Sequence, residues 1–192
     1  CRSLKTIPDL KYLPDLQELT LSWFHNDVNK LNLSGVTKLK KLKLSGHSKL
    51  RKLEGLSTLH QLEELDLSRC ISLEYLPDLD KLTNLKKLIL RGCRSLVSLQ
   101  GLMELSKLQV IILSYCTSLE ELDGLFHKPE LKLLDISFCR NLQKTPKMHP
   151  ETLASLEFLN LSNRTHHTDL AKFQTNNKQA GLQEINLENV IE

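Results

Sequence analysis

The sequence predicts an α/β solenoid wound from near-identical turns. It forms a single domain over residues 1–192, with a curved parallel sheet on the concave face. Irregular or 3₁₀ turns and a few short helices cover the convex face. Three observations predict this. Leucine supplies 45 of the 192 residues. Cys70, Cys93, Cys116 and Cys139 recur at steps of 23 residues. The leucines keep the same step, and a period between about 20 and 50 residues marks repeats that bury their apolar faces only by stacking.

Laid out in steps of 23, the chain shows one column of Leu16, Leu39, Leu62, Leu85, Leu108 and Leu131. Three residues later come Leu19, Leu42, Leu65, Leu88, Ile111 and Leu134, and two residues after those Leu21, Leu44, Leu67, Leu90, Leu113 and Ile136. A last column reads Cys1, Phe24, His47, Cys70, Cys93, Cys116 and Cys139. Together they spell L-x-x-L-x-L-x-x-C. The L-x-L core has period 2, so it reads as a short strand with the leucines inward and the residues between them outward. Eight strand cores are expected, centred on residues 19, 42, 65, 88, 111, 134, 159 and 185. At about 4.8 Å per strand, seven steps span roughly 34 Å.

The second half of each repeat, such as Leu50-x-x-Leu53-x-x-Leu56-x-x-Leu59, has period 3, which suits a 3₁₀-like or irregular return. A turn column holds Asp9, Asn32, Gly55, Asp78, Gly101 and Gly124, residues that accept left-handed backbone or cap their own turn. The segment Val28–Gly35 imitates a second strand through Leu31-x-Leu33 and reads as a coil with a one-residue bulge. The last two steps lengthen to 25 and 26 residues, and helices are expected there over Glu151–Glu157 and Thr168–Gln174.

The cysteine column reads as structural. A reduced thiol is small, tolerates burial and offers a weak donor to turn backbone. A bridge between neighbouring columns would pull the ladder out of line. An unoxidised ladder fits a cytoplasmic setting, or a nuclear one. Both ends fall within a repeat, so the expectation is a fragment of a larger chain.

Runs such as Leu85-Lys-Lys-Leu-Ile-Leu-Arg-Gly-Cys93-Arg-Ser-Leu-Val-Ser-Leu99 and Cys70-Ile-Ser-Leu-Glu-Tyr-Leu-Pro-Asp-Leu79 carry a family resemblance. They resemble the leucine-rich repeats of plant intracellular nucleotide-binding immune receptors, the Toll/interleukin-receptor type above all. The similarity covers about residues 1–163, with Leu-Pro signatures at Leu13-Pro14 and Leu76-Pro77. It implies a module that senses a pathogen effector or a modified host protein and holds the receptor off through contact with its nucleotide-binding domain. The alternative is the substrate-recognition repeats of an F-box-type ubiquitin-ligase receptor, which run to about 26 residues.

The sequence holds no phosphate loop, no GxGxxG, no HExxH and no GxSxG. Catalysis is therefore not expected, nor is a cofactor or a metal. His166-His167-Thr168-Asp169 reads as a solvated loop. A net charge of +3, from 26 basic and 23 acidic residues, points to neither nucleic acid nor a membrane surface. No apolar run is long enough to span a bilayer. Sequons at Asn32, Asn160 and Asn163 argue weakly for secretion, and the odd number of thiols and the strand-like setting of Asn32 and Asn160 argue against it more strongly.

What remains is a surface. In early repeats the outward positions alternate in charge: Lys40, Lys41 and Lys43, then Glu63, Glu64 and Asp66, then Lys86, Lys87 and Arg91. In later repeats Ile89, Val110, Ile112, Leu133 and Phe158 face out, beside Tyr115 and Phe138 at the strand ends. Trp23 takes the same place in the first strand. These eight residues are the expected contact for a protein partner on the concave face, because an apolar patch with aromatic members and a charged border marks interaction sites.

Overall fold

The computed structural model describes residues 7, 9–22, 28–144 and 146–162, together with the backbone of 184–186. Eight three-residue strands form one parallel sheet. They are β1 (Glu18–Thr20), β3 (Lys41–Lys43), β5 (Glu64–Asp66), β6 (Lys87–Ile89), β7 (Val110–Ile112), β8 (Leu133–Asp135), β9 (Phe158–Asn160) and β10 (Glu184–Asn186), paired in that order. The expected strand centres stand in one register: Leu19, Leu42, Leu65, Leu88, Ile111, Leu134, Leu159 and Ile185.

The middle residue of each strand from β3 to β9 points inward and is shut off from solvent. Its flanking residues point out, as the period of 2 requires. Full burial of one leucine stabilises by about 1.5–3 kcal/mol, and each coil supplies several such side chains to one continuous core. The ladder runs on past the strands: Leu44 N–H donates to Asp66 O at 2.8 Å, Leu67 N–H to Ile89 O at 2.9 Å and Leu90 N–H to Ile112 O at 2.8 Å.

Where each strand ends, the chain must turn with its carbonyls buried. The cysteine column answers that need. Cys70 Sγ donates to Leu44 O at 3.3 Å, and Cys93, Cys116 and Cys139 donate to Leu67, Leu90 and Leu113 O at 3.1 Å each. The same Leu67 carbonyl also accepts the Cys70 N–H at 3.1 Å, so both of its lone pairs are used. His47 takes the place one step earlier, its Nε2 against Leu21 O. None of the four described thiols is in a disulfide, and all four are buried. Burial pushes the Cys70 thiol up to about 12, and it raises Cys93 and Cys116 further.

The turn column solves one bend in two ways. Asp9, Asn32 and Asp78 accept the N–H two residues on, at 3.1, 3.0 and 3.1 Å. Gly55, Gly101 and Gly124 adopt left-handed backbone. Single 3₁₀ turns follow at Leu10–Tyr12, Leu56–Thr58 and Leu102–Glu104, as the period of 3 predicts. One expectation on this side is corrected. Val28–Gly35 is not a bulged coil, because Lys30–Asn32 forms a true strand, β2. It pairs in parallel with β4 (Lys52–Glu54) as a separate two-stranded sheet, with Leu31 opposite Leu53. The alternation K-L-N against K-L-E buries both leucines and leaves Lys30 and Glu54 in a 2.8 Å ion pair. The helix expected at Glu151–Glu157 is α1 (Pro150–Ser155), with His149 as its N-cap and Pro150 in its first turn. The helix expected at Thr168–Gln174, and the His166–Asp169 loop, lie outside the described residues.

One core column breaks its own rule. Val36, Leu59, Leu82 and Leu105 are followed one step on by Lys128, which is 1% exposed. Its ammonium donates to Met103 O at 3.0 Å and to His127 O at 3.4 Å. Burial holds its pKa below the ordinary lysine value, against the opposing pull of Glu104.

Candidate partner-binding surface

The strands present two outward rows. One reads Glu18, Lys41, Glu64, Lys87, Val110, Leu133, Phe158, each residue beside the next in register. The other reads Thr20, Lys43, Asp66, Ile89, Ile112, Asp135, Asn160. The first half of the face is thus charged and the second half has an apolar strip. Lateral ion pairs tie the charged half: Lys41–Glu18 at 2.6 Å, Lys43–Glu64 at 2.7 Å and Lys86–Glu63 at 2.8 Å. Hydrogen bonding to Lys41 and Lys86, and then their charge, holds the Glu18 and Glu63 carboxyls below the usual range. Exposed pairs of this kind are screened by solvent and serve to keep neighbouring strands in register rather than to hold the fold together.

The apolar strip gathers most of the expected contact residues. Ile89 lies beside Ile112, and Val110 beside Leu133 beside Phe158. All five are half-buried, shielded laterally by their neighbours and open on the sheet face. Tyr115 is 37% exposed and Phe138 half-buried, and their rings stack at 4.3 Å with planes 7° apart. The Arg91 guanidinium sits 5.9 Å from the Tyr115 ring centre. Trp23 lies outside the described residues.

Backbone geometry adds something the pattern did not announce. Gly46, Arg69, Gly92, Tyr115 and Phe138 form one further 23-residue column, and every member has positive φ, from 59° to 83°. Each N–H in the column donates to the next coil, as Tyr115 N–H does to Ser137 O at 2.9 Å and Phe138 N–H to Ser162 O at 2.9 Å. Ser137 in turn is held by Asp135, whose Oδ1 accepts both its N–H (3.1 Å) and its hydroxyl (2.7 Å). The ladder therefore imposes a left-handed bend at each step. Two repeats meet it with glycine, while two others place bulky aromatic rings there. A side chain in this region costs about 1–2 kcal/mol relative to glycine. The two glycines at matching steps were the signal in the sequence that could have revealed this column.

On the return side, a cavity of about 490 Å³ is lined by Met103, Leu122, Phe126, Glu120, Lys144 and other residues, and touches none of the sheet-face rows. Among the described residues, no helix is long and apolar enough to cross a membrane.

Every 23 residues the chain repeats one strand, one inward leucine set, one strand-end turn and one return. The fold is a leucine-rich-repeat solenoid. No protein-family model matches the chain, and no curated protein matches it. Among solved structures, it is similar to the functional domain of InlJ from Listeria monocytogenes, described as including a cysteine ladder. That likeness covers 86% of this chain and 53% of that one at 16% identity, with a TM-score of 0.40. A leucine-rich-repeat protein of Leptospira interrogans aligns over 96% of this chain and 69% of its own, at 20% identity and a TM-score of 0.28. The solenoid thus spans about half the length of the InlJ chain. No residue role passes from either to this chain.

Proposed function

We propose that this solenoid is a protein-recognition module that takes its partner on the sheet face, over Ile89, Val110, Ile112, Tyr115, Leu133, Phe138 and Phe158, joined by Trp23 from its place in the 23-residue repeat. One observation carries the reading: Tyr115 and Phe138 stack at positions where two of the three other repeats use glycine and the third uses Arg69, so the rings are presented at a backbone cost that core packing does not require. The apolar strip beside them and the charged rows around it supply the anchor and the rim of a protein contact. An enzymatic role finds no support in the motifs.

The sequence resemblance extends the reading. The module would be the sensing and autoinhibitory region of a plant intracellular immune receptor of the Toll/interleukin-receptor type, in the cytoplasm or the nucleus. Its ligand would be a pathogen effector or a host protein that a pathogen has altered. Contact with a nucleotide-binding domain would hold the off state, and a ligand that competes for that contact would shift the population.

The test uses Ile112→Lys and Phe138→Glu. Ile112→Lys should unfold close to wild type and Phe138→Glu should lose only the roughly 0.5–1.5 kcal/mol of its stack on Tyr115, whereas Leu113→Ala, fully buried, should cost about 2–5 kcal/mol. A partner isolated from plant tissue and then titrated as a purified protein should lose at least about tenfold in affinity for both surface variants. Unchanged affinity in both would reject the patch. A partner that is neither an effector, nor a host target, nor a nucleotide-binding domain would reject the receptor role while leaving the patch in place.

A further inference from the structure

On the return side, away from the sheet face, two successive coils bring three metal-ligating side chains together. His127 belongs to the segment before Pro129, His149 is the N-cap of α1, and Glu151 lies in the first turn of that helix. One ligand atom from each lies within 4.8 Å of the others. Glu151 Oε2 stands 3.9 Å from His127 Nδ1 and 3.8 Å from His149 Nδ1. The groups are exposed or half-buried, so a fourth position is open to solvent.

The backbone beneath them is cross-bonded. Phe126 O accepts the His149 N–H at 2.6 Å and the Thr152 hydroxyl at 3.2 Å. Lys128 N–H donates to that same hydroxyl oxygen at 2.8 Å. The buried Lys128 ammonium reaches back to the His127 carbonyl. Ser155 Oγ, one turn along α1, donates to Leu131 O at 2.8 Å. The His149 ring is met edge-on by Phe126 at 5.5 Å and by His127 at 5.8 Å between centroids. Two segments from successive coils are therefore fixed against each other before any ligand arrives.

We propose that His127, His149 and Glu151 form a binding site for a divalent transition-metal ion, with Zn²⁺ the best fit. Two imidazoles and one carboxylate suit zinc, whereas Ca²⁺ and Mg²⁺ favour all-oxygen shells. Tetrahedral zinc sets its ligand atoms about 3.4 Å apart, from bonds of roughly 2.0–2.1 Å. Two of the present separations, 3.9 and 3.8 Å, lie within about 0.5 Å of that spacing. The Glu151 N–H lies 3.4 Å from His149 Nδ1, a long contact that an ion at this nitrogen would replace. The ion would clip one coil to the next, with water completing its shell. The short helix serves only to carry two of the ligands.

The experiment is a direct titration of the metal-free chain with ZnCl₂, followed by Co²⁺ substitution. One ion per chain is expected. The cobalt form should show the visible bands of a tetrahedral nitrogen and oxygen set without a thiolate band. Zinc at a hundredfold excess over Kd should raise the Tm by about 5–10 °C. His127→Ala should lower the affinity at least about tenfold and abolish the Tm rise. Its ring is exposed, so the metal-free variant should melt as wild type does. Glu151→Gln should weaken binding in parallel and serves as the second variant if His127→Ala folds poorly. A double change of His166→Ala and His167→Ala should leave both readouts intact. Absence of uptake, uptake that survives both His127→Ala and Glu151→Gln, or uptake lost only with His166 and His167 would overturn the site.

Discussion

Gly92 and Gly101 have nearly the same backbone, φ 74° and 80°, yet they face different neighbours. A Cβ on Gly92 would meet only Arg69, its nearest atom Cγ at 3.5 Å, an ordinary contact. A Cβ on Gly101 would lie 2.7 Å from Leu79 N and inside contact of Asp78 Oδ1 and Asp80 N. The backbone strain of alanine is about 1–2 kcal/mol at either site. The loss of unfolded-state freedom returns about 0.4–1 kcal/mol. Gly92→Ala should therefore cost about 0.5–1.5 kcal/mol. Gly101→Ala carries the same strain and an overpacking cost of about 1–3 kcal/mol, because two of its three clashes are with backbone that cannot rotate away. Its total should be about 2–4 kcal/mol. Urea unfolding followed by far-UV circular dichroism, with a shared m-value, measures both. A loss for Gly101→Ala equal to or below that for Gly92→Ala would refute the coil spacing on which every register here depends.

The four ladder thiols should resist a disulfide reagent in the native state and react together on unfolding; rapid native labelling of Cys93 or Cys116 would show the ladder open. Because burial raises the Cys70, Cys93 and Cys116 thiols in the fold, the unfolded chain ionises first, so stability should fall as pH rises above about 9, the ordinary thiol value. Lys128 works in the opposite sense: its lowered pKa means that the unfolded chain holds the extra proton, so its penalty should fade as pH climbs toward 10.5. Lys128→Leu, which restores the column of Leu59, Leu82 and Leu105, should stabilise the chain at neutral pH by about 1–2 kcal/mol; destabilisation would mean that the two carbonyl contacts of the ammonium outweigh its desolvation. A double-mutant cycle on Tyr115→Ala and Phe138→Ala should return a coupling of about 0.5–1.5 kcal/mol, and a value near zero would deny the stack.

The strand centres, the inward leucines, the thiol ladder and the outward rows were all legible from one period, since a 23-residue step with L-x-L at its heart leaves only one way to bury the leucines. The alternation of Lys41, Glu64 and Lys87 was readable for the same reason: residues one period apart become lateral neighbours in a parallel sheet. Lys30–Asn32 was not legible in this way. A strand and a bulged coil share the same three letters until a partner such as Lys52–Glu54 is in place.

What the linear order of residues determined alone was which side chains share a column. What the tertiary structure decided was how far apart successive columns lie and what the backbone must do to keep that distance. The left-handed bend at Tyr115 and Phe138 arises from hydrogen bonds to the next coil, so no local propensity announces it. The burial of Lys128 and the meeting of His127 with His149 and Glu151 likewise depend on how the lengthened repeat around α1 lies against the coil before it. A period specifies direction, inward or outward. Contact between groups from different turns is a matter of distance, and only the stacked molecule has one.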